Sequence, residues 1–175
     1  MGKNNKPKLT IGMCTYDDFH GVYFTIQAIR MYHSEVLDDI EFIVIDNNPD
    51  SKHGKEVKKF LEKSVPNSTY IPFSEYTGCR IRSKLFEYAN APSVLCLDCH
   101  VLLQQGSLKK LIEYYDDNPN TKDLLQGPLV WEKLNSISTH FDLTWRASMW
   151  GTWQTHKSFG SNPEDPPFEI PSMGL

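Results

Sequence analysis

The chain has 175 residues, 39% of them apolar and 23% charged, with a formal net charge of −4. That length suffices for one domain with a proper core, and the acidic balance excludes a general affinity for nucleic acid. No apolar run approaches the ~20 residues of a membrane span and no signal peptide is visible. The expectation is therefore a cytoplasmic protein, with a membrane-peripheral role left open because the chain could be part of a longer one.

Residues 1–7 read as a short disordered tail, and the basic stretch of Lys3, Lys6 and Lys8 is expected to trail off with it. Lys8 to Cys14 (KLTIGMC) reads as a strand entering a polar turn, Thr15 to Asp18. A helix from about Gly21 to His33 follows, with Val22, Ile26 and Ile29 on one face. Ile40 to Asp46 (IEFIVID) is a nearly apolar strand, as a buried parallel sheet requires. Asn47 to Ser51 is a turn, Lys55 to Ser64 a helix with Val57, Phe60 and Leu61 inward, and Thr69 to Pro72 a short third strand. Cys79 to Asn90 reads as a helix with Ile81, Leu85 and Tyr88 on one side, stopped by Pro92. Ser93 to Leu97 is the fourth strand, and Ser107 caps a helix whose Leu108, Leu111, Ile112 and Tyr115 share a face. Leu124 to Val130 is a candidate fifth strand. From His140 onward there is no clear period, and Trp145, Trp150 and Trp153 sit in a stretch read as ordered loops or irregular strands.

Strands alternating with helices predict an α/β domain, a mostly parallel sheet flanked by helices with an irregular C-terminal segment. Right-handed crossovers collect the carboxyl ends of the strands on one edge. That edge gathers Thr15-Tyr16-Asp17, Asp46 and Asp98-Cys99-His100.

The chemistry concentrates in Val94-Leu95-Cys96-Leu97-Asp98-Cys99-His100-Val101. If strand geometry persists through His100, Asp98 and His100 share a face and could hold one divalent cation. A carboxylate beside an imidazole suits Mn²⁺ better than Mg²⁺; a plain polar strand end is the alternative. Cys96-x-x-Cys99 has zinc or redox spacing. Cys14 and Cys79 are isolated, however, so the second ligand pair of a structural zinc site is missing. The motif also sits in a strand rather than opening a helix, so neither role is expected. Free thiols fit a reducing compartment. Neither GxGxxG nor a Walker motif is present, so nucleotide phosphates would need neutralising by a metal or a side chain.

In the order and spacing of its motifs the chain resembles nucleotide-sugar glycosyltransferases of the GT-A fold. Ile11 to Asp17 resembles their opening strand and Thr-Tyr-Asn turn, and Phe42 to Asn48 their second strand. Gly78 to Ala89 resembles the helix carrying their arginine, here Arg82, and Leu97-Asp98-Cys99-His100 stands at their Asp-x-Asp motif. The Asp-x-His form is the one seen in polypeptide N-acetylgalactosaminyltransferases, to which Pro171-Ser172-Met173-Gly174-Leu175 bears a fainter likeness. The resemblance implies one catalytic domain over 8–175, with a nucleotide-binding half at 8–104 and a truncated acceptor-side part at 105–175. It implies a metal-dependent hexosyl- or N-acetylhexosaminyltransferase using a UDP-sugar, with Mn²⁺ or Mg²⁺ as cofactor and a glycan, peptide or lipid acceptor. The alternative is a nucleotide- or sugar-binding domain, or an inactive fragment. The nucleotide would be met by Thr15, Tyr16, Asp17, Asp46, Arg82, Leu97, Asp98 and Cys99, with Asp46 on the uracil N3–H and Arg82 on the diphosphate. The metal would sit on Asp98 and His100, and catalysis would rest on Asp98 and Arg82. Lys84 is a weaker phosphate candidate, and Glu164, Asp165 and Glu169 are the late acids nearest to where a base would be needed.

Overall fold

The structure, a computed structural model, describes residues 6–131, 136–160, 162 and 164–170. Lys3 and the stretch Pro171 to Leu175 lie outside the described residues. The chain divides into two compact units, 1–121 and 122–175.

In the first unit the chain runs β1 (Leu9–Thr15), α1 (Phe19–Tyr32), β2 (Ile40–Asp46), α2 (Lys52–Ser64), β3 (Ser68–Pro72), α3 (Leu85–Tyr88), β4 (Ser93–Asp98) and α4 (Ser107–Asp117). Short 3₁₀ segments at Ser34–Asp39 and Cys79–Lys84 precede β2 and α3. The four strands form one parallel sheet in the order β3-β2-β1-β4. This is an α/β architecture with helices packed on a parallel sheet, as the alternation of elements predicts.

Period-two geometry explains why β2 is apolar throughout. Ile40, Phe42 and Val44 join one core cluster with Leu9, Ile11 and Met13 of β1 and the inward faces of α1, α2 and α4. Ile43 and Ile45 turn to the other face and pack with Ile71, Phe73, Ile81 and Leu85. On that second face β1 presents Gly12, where a Cβ would lie 2.7 Å from both Leu85 methyls. The absent side chain is what lets α3 settle on the sheet.

The same face buries one charge. Glu41 accepts from the Thr10 hydroxyl, from the Asn90 backbone N–H at 2.7 Å and from Asn90 Nδ2 at 2.9 Å. These bonds tie the chain entering β4 to the middle of the sheet. They also explain a shortened helix: the expected Cys79–Asn90 helix is a 3₁₀ segment followed by one α-turn ending at Tyr88. Ala89 turns extended and Asn90 goes to Glu41 instead of continuing the helix. Tyr88, expected inward, is exposed.

Three further expectations are corrected. Ser107 does not cap α4: Gly106, at φ 81°, occupies the cap position with no side-chain bond, because only a residue free of a Cβ takes that left-handed turn at little cost. Leu124–Val130 adds no fifth strand to the parallel sheet; only Leu129–Val130 is extended, pairing antiparallel with Ile137–Ser138. Lys8 does not trail off with the tail, since its ammonium pairs with Asp116 at 2.6 Å and its backbone N–H with the Asp39 carbonyl at 2.8 Å.

The second unit contains β5 (Leu129–Val130), β6 (Ile137–Ser138), β7 (His140–Arg146) and β8 (Met149–Gln154). β7 and β8 form an antiparallel hairpin around Ala147, whose φ is 54°. The tryptophan-rich stretch is therefore strand rather than loop. Trp145 and Trp150 pair across the hairpin at 5.3 Å between ring centroids, both exposed. Among the described residues no helix is long and apolar enough to cross a membrane.

Candidate functional site

Strand order reverses direction between β1 and β4, because β2 and β3 extend the sheet on one side of β1 and β4 is added on the other. Open parallel sheets bind ligands just beyond the carboxyl ends at such a switch. Register puts Thr15 beside Asp46 and Cys14 beside Asp98, so the polar strand ends stand at one level.

Their environments differ sharply. Asp46 is 0% exposed. Its Oδ1 accepts from the Asn48 N–H at 2.8 Å and its Oδ2 from the Tyr70 hydroxyl at 2.7 Å. Burial, then the bond to Asp46, pushes the Tyr70 hydroxyl well above its ordinary pKa. In this geometry Asp46 fixes the end of β2, and a base N–H would have to reach a lone pair that has no solvent access. Asn47 extends the anchoring: its amide donates to the Phe73 and Tyr76 carbonyls at 2.9 and 2.8 Å, pinning the loop after β3.

Thr15 is buried, and its carbonyl accepts from the Asn47 N–H at 2.9 Å. Tyr16 follows at 64% exposure, a free aromatic face at the mouth of the switch point. Asp17 is exposed with φ at 56°. Leu97 packs its side chain on the main core, leaving only its backbone for a ligand.

Arg82 and Asp98, sixteen residues apart, meet in an ion pair. Both are partly exposed at the sheet edge. The guanidinium carries five N–H donors, so one bond to Asp98 leaves several for another anion. Lys84 is occupied by Glu87, with both carboxylate oxygens at 3.0 Å from its ammonium. Asp165 holds its own loop by accepting from the Gly160 and Asn162 N–H groups at 2.8 and 3.1 Å.

His100 parts company with Asp98. β4 stops at Asp98, so the alternation that would align the two side chains ends before His100. His100 Nδ1 instead lies 3.6 Å from Asp18 Oδ2 and 3.9 Å from the Cys99 sulfur. Asp18 Oδ2 in turn lies 3.4 Å from that sulfur. Among the described residues, Asp18, Cys99 and His100 form a group whose ligand atoms converge closely enough for a metal ion. Burial, then the Asp18 carboxylate, pushes the Cys99 thiol up to about 12. Burial works against the Asp18 carboxylate, but bonds from Gly21, Cys99 and His100 outweigh it and hold the group below its ordinary value.

Sequence reading missed Asp18. Its spacing to Gly21 is a visible helix-cap signal, and Asp18 Oδ1 does accept from the Gly21 N–H at 2.8 Å. Its approach to residues eighty positions on is set by the β1–β4 pairing. Thr25 was also missed. Its hydroxyl donates to the Cys99 or the Val101 carbonyl, each at 3.1 Å, and accepts from the Val101 N–H at 3.1 Å.

Cys96, exposed on β4, stands apart from this group, and all four cysteines are free thiols. Burial pushes Cys14 up to about 11. A cavity of about 290 Å³ opens at the amino ends of β1 and β4, beside Lys8, Ser93 and Asp116, away from this chemistry.

Residues 10–160 match the model of glycosyl transferase family 2. Among curated proteins no sequence matches significantly. Solved structures do share the fold. TarS from S. aureus, residues 1–349, superposes with a TM-score of 0.54 at 15% identity over 69% of this chain. The mannosyltransferase PcManGT from Pyrobaculum calidifontis, in complex with GDP-Man and Mn²⁺, gives 0.53 at 14% identity over 71%. TarS 1–349 in complex with UDP-GlcNAc gives 0.51 at 15% identity over 69%. The chain spans 39%, 35% and 37% of those three chains. With the family matched over most of its length and the parallel sheet in place, the chain belongs to glycosyl transferase family 2 and has the GT-A fold.

Proposed function

We propose that this domain moves a sugar from a UDP-sugar to an acceptor hydroxyl, with the donor bound at the carboxyl edge between β1 and β4. The observation that carries the reading is the Arg82–Asp98 pair, a permanent cation and a carboxylate held together at the strand-order reversal of a family-2 domain. The base would stack on the open face of Tyr16, beside Thr15 and Asp17, with the Leu97 and Cys99 backbone bordering the nucleotide. Arg82 would fork onto the diphosphate. As the bond between sugar and phosphate breaks, negative charge builds on the leaving diphosphate, and a fixed guanidinium stabilises the transition state more than the ground state. Asp98 orients Arg82 and meets the ribose. The acceptor is a glycan, peptide or lipid hydroxyl.

Metal dependence belongs to this proposal with a restriction. A hard cation shared by Asp98 and His100 does not fit the arrangement present, because Asp98 faces Arg82 and His100 faces Asp18.

The test is release of UDP from a panel of UDP-hexoses and UDP-N-acetylhexosamines, with GDP-mannose as the competing donor class. The reading expects slow hydrolysis of at least one UDP-sugar, abolished in Arg82→Ala. UDP binding without any turnover would convert the domain to a nucleotide-binding module. Turnover of GDP-mannose alone would overturn the choice of base.

A further inference from the structure

We propose that Asp18, Cys99 and His100 form a three-ligand site for a thiophilic divalent metal of the zinc class, with a fourth position open to solvent. The geometry is the first argument. Tetrahedral zinc bonds of about 2.3 Å to sulfur and ~2.0 Å to nitrogen and oxygen put ligand atoms roughly 3.3 Å apart for O···N and about 3.5 Å for S···O and S···N. The observed separations are 3.6 Å for Asp18 Oδ2 to His100 Nδ1, 3.4 Å for Asp18 Oδ2 to Cys99 Sγ, and 3.9 Å for Cys99 Sγ to His100 Nδ1. The three atoms already outline one face of such a tetrahedron, and closing it needs movements of only a few tenths of an ångström.

The second argument is how the ligands are supported. Asp18 uses Oδ1 to cap α1 through the Gly21 N–H, which leaves Oδ2 toward the group. Thr25 grips the backbone at Cys99 and Val101 from α1. Gly21 keeps the approach open, since a Cβ there would lie 2.3 Å from Asp18 Oδ2 and 2.5 Å from the Cys99 carbonyl oxygen. Ligands fixed by such supporting bonds are the ones that hold metals tightly. Cys99 is buried at 6% exposure while His100 is largely exposed, so the sulfur lies on the dry side and the open position faces solvent. One sulfur, one imidazole and one carboxylate favour zinc or cobalt over Mn²⁺ and Mg²⁺. On binding, the Cys99 thiol gives its proton to solvent and the thiolate becomes the ligand.

The ligand set stands without the donor-site reading; only the purpose of the open position, a donor phosphate oxygen or water, rests on that reading. The site also differs from the pairs the sequence suggests. It uses neither Asp98 nor Cys96.

The experiment is titration of Co²⁺ into the metal-free, reduced full chain, followed by absorption. The expected result is a near-ultraviolet thiolate-to-cobalt band of one-sulfur intensity with visible bands of tetrahedral strength, both displaced by Zn²⁺ and not by Mg²⁺. Cys99→Ser abolishes the near-ultraviolet band, while Cys96→Ser, Cys14→Ser and Asp98→Asn keep it. Asp18→Asn, which can still cap α1, weakens Co²⁺ binding by at least ~10-fold, the loss that even an outer-shell partner causes. A band that survives Cys99→Ser, or no band in a chain whose circular dichroism shows it folded, overturns the inference. UDP calorimetry on the same sample, once loaded with Co²⁺ and once in EDTA, separates the two readings. UDP binding without a cobalt band sinks the metal site alone, and a cobalt band without UDP binding sinks the donor site alone.

Discussion

Arg82 is the side chain on which the donor-site reading turns. Its head group sits at the surface against Asp98, so its removal leaves the core untouched. Arg82→Ala is expected to cost roughly 1.5–3 kcal/mol of UDP binding, the value of a charge-assisted contact and about a 10- to 100-fold loss. Its thermal midpoint should stay at the wild-type value. Arg82→Lys keeps the charge but loses the fork, and should fall between the two by calorimetry. Gly21 carries the opposite expectation. A methyl at that position meets the Asp18 carboxylate and the Cys99 backbone, so Gly21→Ala should lower the thermal midpoint and weaken Co²⁺ binding together. An unchanged midpoint would mean that α1 and the 99–101 turn are not in the close contact described. At this scale the sequence showed which residue types lie at the strand ends but not what each one touches. Asp46 is one of several polar residues in the motif until it is seen to be fully buried, with one oxygen bonded to Asn48 and the other to Tyr70. His100 is aligned with Asp98 only as long as the strand runs on, and the stop after Asp98 is a backbone event with no residue signal.

The elements depend on one buried carboxylate more than the apolar pattern implies. Burial disfavours the Glu41 anion, yet bonds from Thr10, Asn90 and Ala91 outweigh that and hold its carboxyl below the ordinary 4.5. A lowered folded-state pKa means that its contribution is complete above the unfolded value and is lost as pH falls through the lower folded one. Glu41→Ala should therefore cost about 1–3 kcal/mol near neutrality, from unpaired partners at Thr10 and Asn90. That difference should stay flat above pH ~5 and narrow as pH falls through the lowered folded value, as urea melts across the range would read. Leu85 tests the other face of the sheet. It is 1% exposed and fills the space above Gly12, so Leu85→Ala should cost about 2–5 kcal/mol by the same melts. Strand β2 was legible because burial on two faces leaves a nearly uninterrupted apolar run, and α1 and α2 because their inward positions repeat at helical spacing. The short α3 was overdrawn because its end is set by Asn90 reaching Glu41 across the sheet, and a side chain 49 positions away leaves no local signal.

For the molecule as a whole, the parallel sheet and its switch point lie entirely within residues 1–121. Every residue assigned to the donor lies there too. That segment has its own core on both sheet faces, so expressed alone it should unfold in one cooperative transition and keep UDP binding. Residues 122–175 carry the tryptophan hairpin, whose strands were hard to read because a bulge between Asp142 and Trp145 breaks the alternation that marks a strand. The measurement that bears most directly on the central claim is calorimetric titration of UDP into the full chain, run beside Arg82→Ala and Asp98→Ala. A donor site at the β1–β4 edge predicts saturable one-to-one binding to the wild type, lost or weakened at least ~10-fold in Arg82→Ala. Binding that is equal in all three proteins, or absent from a folded wild type, would contradict it.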